Sequence, residues 1–332
     1  MAEGSARPDR NLAIELVRTT EYAALACSRW IGRGEKESAD GAAVDAMRLM
    51  LDTVSMDGRV VIGEGEKDEA PMLYNGESIG DGSPPQVDIA VDPLEGTELC
   101  AKGLPNAIAT IALSERGTMF DPGPCVYMLK MATSRDMADL LDPDRPLPET
   151  LKLMAKRKGV GVGDLVVIML DRPRHDEAMA EIRRAGARIR LIPHGDVSAA
   201  LVAVTEGSPV DLLWGIGGTP EGVLAAAAIK CTGGTIVGRL WPRDEDERSA
   251  ALEAGYDLDE VLDTNRLVSG DDVHFAATGV TDGEMLEGVH LVGPEGATTE
   301  SISMRSRSGT VRTITARHDR AKLREITSQR VG

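Results

Sequence analysis

Apolar residues recur at helical spacing near the start of the chain. Leu12, Leu16 and the Ala23-Ala24-Leu25 run follow Asp9, a residue able to cap a helix, and Gly32-Arg33-Gly34 ends the pattern. Ser38 reads as the cap of a second helix, with Val44, Met47, Leu51 and Val54 along one side. Asp40 then falls in the first turn, where the helix dipole favours a carboxylate. The pattern changes to β at Arg59-Val60-Val61-Ile62, which follows the turn Asp57-Gly58 and leads into Gly63-Glu64-Gly65-Glu66. Val87 to Val91 leads into Asp92-Pro93, and a proline has no N–H for a ladder, so Asp92 is expected at a strand end. Asn106 to Ser114 reads as another strand.

The second half alternates more regularly. Strands are expected at 165–170, 188–192, 210–214 and 234–241, and helices at 176–186, 197–206 and 220–230. Such alternation predicts a layered α/β arrangement. The polar, proline-containing stretch Ser134 to Thr150 is a natural boundary, giving an expected division into 1–140 and 141–332. From Val273 to Thr315 the pattern is of strands and turns, with no readable topology.

Composition narrows the function. The chain has 332 residues, 42% apolar and 27% charged, with only 3% aromatic. Its core must therefore be built from Ala, Val, Leu, Ile and the 14 Met, and few rings remain to stack on nucleic-acid bases. A formal charge of −17 offers no footprint for nucleic acid or an anionic membrane, and repels a phosphorylated metabolite unless cations intervene. Cys27, Cys100, Cys125 and Cys231 are far apart and read as reduced, buried thiols. No apolar run approaches the ~18 residues of a spanning helix, and Met1 to Arg10 lacks the apolar stretch of a signal peptide. The expected location is the cytoplasm.

The candidate chemistry is acidic. Asp92 and Glu95 stand three apart across a proline-containing turn, Gly96 allows close approach of backbone to a ligand, and Thr97 adds a hydroxyl. Carboxylate oxygens are the ligands that hard divalent cations prefer. Asp40, Glu64 and Glu221 stand at other expected element ends, and a capping role remains open for Asp40 and Glu221. Gly215 to Gly222 is a poor dinucleotide loop, because Pro220 and Glu221 occupy the place of a third glycine. It suits an anion at a helix start better. Arg172-Pro173-Arg174-His175 offers two guanidiniums at a strand-to-helix junction, able to hold a phosphate. His175 can cap a helix or meet a sugar hydroxyl. His194-Gly195-Asp196 ends another strand, where α/β proteins commonly bind ligands. Tyr127 is either a core ring or a phosphate donor.

Taken together, these motifs resemble class II fructose-1,6-bisphosphatases of the GlpX type. The likeness rests on Trp30–Gly34, Ala39–Val44, Val61–Glu66, Asp68–Tyr74, Asp88–Thr97, Arg172–Asp176, Gly195–Val197, Gly215–Gly222, Ala276–Val280 and Ala297–Ser301, in order over about residues 10–315. The resemblance implies an α-β-α-β-α sandwich like that of the lithium-sensitive sugar and inositol phosphatases. It implies Mg²⁺ or Mn²⁺ held by Asp40, Glu64, Asp92, Glu95 and Glu221. Substrate positions would be Glu95, Gly96, Thr97, Tyr127, Arg172, Pro173, Arg174, His194, Gly195, Asp196 and Gly218. Thr97, Asp40 and Lys36 would serve the chemistry, hydrolysis of the 1-phosphate of fructose 1,6-bisphosphate in gluconeogenesis, in a homodimer or homotetramer. His194 replaces an Asp of related enzymes, and Arg172 a Lys. Dual action on sedoheptulose 1,7-bisphosphate, inositol-phosphate-type hydrolysis and a catalytically silent sugar-phosphate sensor are the alternatives.

Overall fold

The computed structural model describes residues 12–65 and 72–328. The Asp9 cap and the stretch from Glu66 to Pro71 lie outside the described residues. One sheet runs β12 (His290–Val292), β13 (Gly296–Arg305), β11 (His274–Gly279), β4 (Ile108–Glu115), β3 (Gln86–Glu95), β1 (Asp57–Ile62) and β2 (Ser78–Ile79), with β14 (Thr310–Asp319) also paired to β13. The second runs β10 (Leu262–Asp263), β9 (Thr235–Leu240), β5 (Tyr127–Thr133), β8 (Leu212–Gly218), β6 (Val166–Leu170) and β7 (Arg188–Ile192).

Helix composition decides the layers. α6 (Asp196–Val204) is buried at every position, and α7 (Thr219–Thr232) is buried from Gly222 through Ile229. A helix apolar all round has to lie inside the protein, and these two pack between the sheets. Their alanines, including Ala225 to Ala228, let both sheets come close without aromatic filling. α1 (Ala13–Cys27) and α2 (Lys36–Leu51) cover the outer face of the first sheet through Leu16, Val44, Met47 and Leu51. α4 (Leu147–Lys158) and α5 (Asp176–Ala185) cover the far face of the second through Leu151, Met154, Met179 and Ile182. The shorter helices α3 (Thr97–Lys102), α8 (Glu245–Glu253), α9 (Thr264–Leu267) and α10 (Arg320–Ser328) fill the connections. The result is a layered α-β-α-β-α sandwich, the arrangement that the family resemblance implies. No helix among the described residues is long and apolar enough to cross a membrane.

Local boundaries depart from the sequence reading. α2 starts at Lys36, because the Ala39 N–H already bonds the Glu35 carbonyl at 3.0 Å. Ser38 is therefore inside the helix, and Asp40 lies in the second turn. β3 does not stop at Asp92. It continues to Glu95 through a register shift, Asp92 facing Thr110 and Glu95 facing Ile108. The extra residue is a bulge, and Pro93, which cannot donate, falls within it. β5 was not expected, yet it pairs with both β8 and β9 at the centre of the second sheet. The tail strands β11 to β14 return to the first sheet.

Asp88 shows that one acid of the Asp88–Thr97 segment is structural. It is 2% exposed, and its Oδ2 accepts the N–H groups of Gly117, Thr118 and Met119 at 2.8, 2.9 and 3.2 Å. Replacing it by Ala would strand three backbone donors. Asp88→Ala is expected to cost about 2–4 kcal/mol in denaturant unfolding; a loss below about 0.5 kcal/mol would contradict this role.

Candidate active site

The segment Asp92 to Thr97 is shaped by its own bonds. The Leu94 N–H donates to Asp92 Oδ1 at 3.1 Å, folding the carboxylate back over the bulge. Gly96 has φ +82°, and a side chain there would also press on Leu99 at 2.8 Å. That turn starts α3 at Thr97. Thr97 Oγ1 lies 3.1 Å from the Leu94 carbonyl and 3.4 Å from Asp40 Oδ1 on α2. Glu95 is 5% exposed, and its Oε1 accepts the Val197 N–H of α6 at 3.2 Å.

Two adjoining cavities, about 340 and 250 Å³, meet at this segment. Asp40 and Glu64 line the first. Glu95, Gly96, Tyr127, Arg172, Arg174, His194, Gly195, Asp196 and Gly218 line the second. Lys36, Asp92, Thr97 and Glu221 line both. The fold thus gathers the candidate site residues, except Pro173, which opens the short turn Pro173–His175 and lines neither cavity.

Electrostatic strain across the two cavities is high. Burial, then the charge of Glu64, holds Asp92 well above the usual carboxylate range. Burial, then the charges of Asp92 and Asp196, does the same to Glu95. Glu64 is raised to about 7 by burial and by Asp40. Asp40 is raised by burial, against a lowering hydrogen bond from Thr97. Glu221 is raised by burial and Asp196, with Lys130 opposing. Oxygens of Glu95, Asp196 and Glu221 all lie within 4.8 Å of one another. Buried, mutually repelling carboxylates form a donor set that fits a hard divalent cation.

The second cavity carries the cations. Arg174 lies with its guanidinium carbon 4.8 Å from the Tyr127 ring centroid and donates to the Ile216 carbonyl at 2.8 and 3.1 Å. Arg172 donates to the Pro193 carbonyl at 2.7 Å. His194 Nε2 lies 3.2 Å from Glu98. His175 does not reach the cavities. It is buried, with Nδ1 2.8 Å from the Leu170 carbonyl and Nε2 accepting the Ile216 N–H at 2.8 Å, so it ties β6 to β8. Sequence reading missed Lys130, a buried ammonium bonded to Asp196. Its signal was a lone lysine in the run Tyr127-Met128-Leu129-Lys130-Met131.

Residues 10–318 match the model of the family described as bacterial fructose-1,6-bisphosphatase, glpX-encoded. The chain belongs to this family. Class 2 fructose-1,6-bisphosphatases of Escherichia coli K12 and Shigella flexneri are each 43% identical to this bisphosphatase-family chain over 322 residues, covering 93% of it and 95% of their own length. Among solved structures, an extragenic suppressor protein from Pyrococcus furiosus aligns with a TM-score of 0.28 and 11% identity over 57% of this chain and 68% of its own, a likeness that carries no argument.

The raised Glu64 pKa in this family member has a consequence for the metal-free protein. Folded Glu64 keeps its proton to about 7 against an ordinary 4.5, so the folded chain binds the extra proton in that window. The resulting stability is complete below about 4.5 and is lost as pH rises to about 7. Glu21, raised to about 7 by burial, adds a fall of the same sign from outside the cleft. In chelator, the melting temperature is therefore expected to fall across this window, and less steeply for Glu64→Gln than for wild type. Identical slopes in scanning calorimetry would refute the strained carboxylate.

Proposed function

We propose that this chain removes the 1-phosphate of fructose 1,6-bisphosphate, giving fructose 6-phosphate and inorganic phosphate in gluconeogenesis. The observation that carries the reading is the joining of a carboxylate cavity to a guanidinium cavity at Thr97 in a chain of the bisphosphatase family. We assign Mg²⁺ or Mn²⁺ to Asp40, Glu64, Asp92, Glu95 and Glu221. When bound, such ions supply Lewis-acid charge to phosphoryl oxygens and make water a better nucleophile.

The chain's own residues do the rest in this reading. Thr97 Oγ1, held beside Asp40, orients the attacking water, and Asp40 takes its proton. Asp40 Oδ1, 3.4 Å from Thr97 Oγ1, is the carboxylate oxygen placed to take it. Lys36, at the start of α2 and lining both cavities, draws the phosphate in. The water oxygen bonds to phosphorus as the bond to the sugar oxygen breaks, and that oxygen takes a proton from solvent while Asp40 returns its own to solvent. Arg172, Arg174 and Tyr127 hold the distal phosphate, with Pro173 fixing the turn between the arginines. Asp196 and His194 accept and donate to sugar hydroxyls. Gly96, Gly195 and Gly218 keep room for the substrate; a side chain at Gly218 would collide with the Glu221 carboxylate.

Sedoheptulose 1,7-bisphosphate is the alternative second substrate, through the resemblance around Asp171 to His175. The four buried free cysteines support a cytoplasmic location, and family likeness supports a homodimer or homotetramer. Phosphate release from both bisphosphates, with Mg²⁺, with Mn²⁺ and with chelator, tests the reading. Metal-dependent release from fructose 1,6-bisphosphate is expected, with kcat of Thr97→Ala lowered about 10²–10⁴-fold and its melting temperature unchanged. Tight substrate binding without turnover under any metal would leave a sugar-phosphate sensor instead.

A further inference from the structure

Lys130 sits in the middle of β5 and is 3% exposed. Its ammonium bonds the Asp196 carboxylate and donates to the Gly218 carbonyl at 2.8 Å. Glycines make the slot. A side chain at Gly217 would meet the Asp196 carboxylate and stand 3.1 Å from the Lys130 ammonium, and one at Gly222 would stand 3.4 Å from Lys130 Cδ. Gly218 directly precedes α7, the helix that carries Glu221. One buried cation thus braces both Asp196 and the start of α7.

Three carboxylates as close as Glu95, Asp196 and Glu221 suit a shared divalent ion. Lys130 makes them unequal. It gives Asp196 a resident cation, while Glu95 is held by a backbone N–H. Asp196 and Glu95 both line the cavity of Arg172 and Arg174 and not that of Asp40 and Glu64, so the ammonium is what sets Asp196 apart. We propose that Lys130 is a positioning residue that withdraws Asp196 from the metal ligands and fixes it as an acceptor for sugar hydroxyls. This inference rests on the bisphosphatase reading.

The test is Mn²⁺ titration by calorimetry of metal-free protein, alongside steady-state hydrolysis. Asp196→Asn is expected to keep the wild-type Mn²⁺ stoichiometry and an affinity within about threefold, while KM for fructose 1,6-bisphosphate rises about tenfold or more. In Lys130→Met, Asp196 loses its ammonium and joins the metal ligands. Mn²⁺ affinity then rises about tenfold, and the gain disappears in the Lys130→Met/Asp196→Asn double variant. Loss of a Mn²⁺ ion in Asp196→Asn would overturn the proposal, as would unchanged Mn²⁺ affinity in folded Lys130→Met. Should Lys130→Met fail to fold, Asp196→Asn decides alone. Wild-type protein without hydrolysis would sink the bisphosphatase reading, and the Mn²⁺ titrations would still decide whether Asp196 is a ligand.

Discussion

Repulsion between carboxylates held in a half-buried cleft is the constraint around which this protein is arranged. Two like unit charges 4 Å apart near a protein surface cost about 4 kcal/mol, and here Asp40, Glu64, Asp92, Glu95 and Glu221 line two adjoining cavities. Left to themselves they retain protons: burial is the first cause of the upward pKa shift of all five, and neighbouring carboxylates add to it at Glu64, Asp92, Glu95 and Glu221. Each is delivered by a different device: a helix turn for Asp40, the end of β1 for Glu64, a bulged strand for Asp92 and Glu95, and a helix start for Glu221. Divalent cations relieve the repulsion and reverse the sign the cleft shows to an anionic substrate.

The rigid parts of the fold hold that arrangement. α6 and α7 are clamped between two sheets, so Asp196 and Glu221 project from the starts of helices buried along most of their length. β3 is buried from Val87 to Val91 and carries two acids on the same face with opposite fates. Asp88 is satisfied by three backbone N–H groups and serves the fold. Among the described residues Asp92 receives a single backbone donor, the Leu94 N–H, so its charge is not satisfied in that way. The difference lies in the neighbouring backbone, not in residue type.

Much of this was legible in the sequence. The regular alternation after residue 165 announced the α/β layers, because buried strands and Ala-rich helices differ in period. The Asp92–Thr97 segment announced itself by packing two acids, a glycine and a hydroxyl into one turn. The sugar was never legible from spacing and rests on family. What escaped reading depended on distant partners. β5 is a strand only because β8 and β9 flank it, and its Met and Lys residues carry little β preference of their own. Lys130 matters through Asp196 and Gly218, 66 and 88 positions away. His175 could be read as a helix cap or a sugar contact, and its ring is spent bridging Leu170 and Ile216. The start of α2 was misplaced because Ser38 is a good cap by type, while the loop before it commits to the helix at Glu35.

The central claim is that cations turn a cleft that repels anions into one that accepts them. Calorimetric binding of inorganic phosphate to wild-type protein, in Mg²⁺ and then in chelator, tests it most directly. Saturable binding in Mg²⁺ that weakens at least about tenfold in chelator is the predicted result. Equal affinity in both conditions would contradict the account.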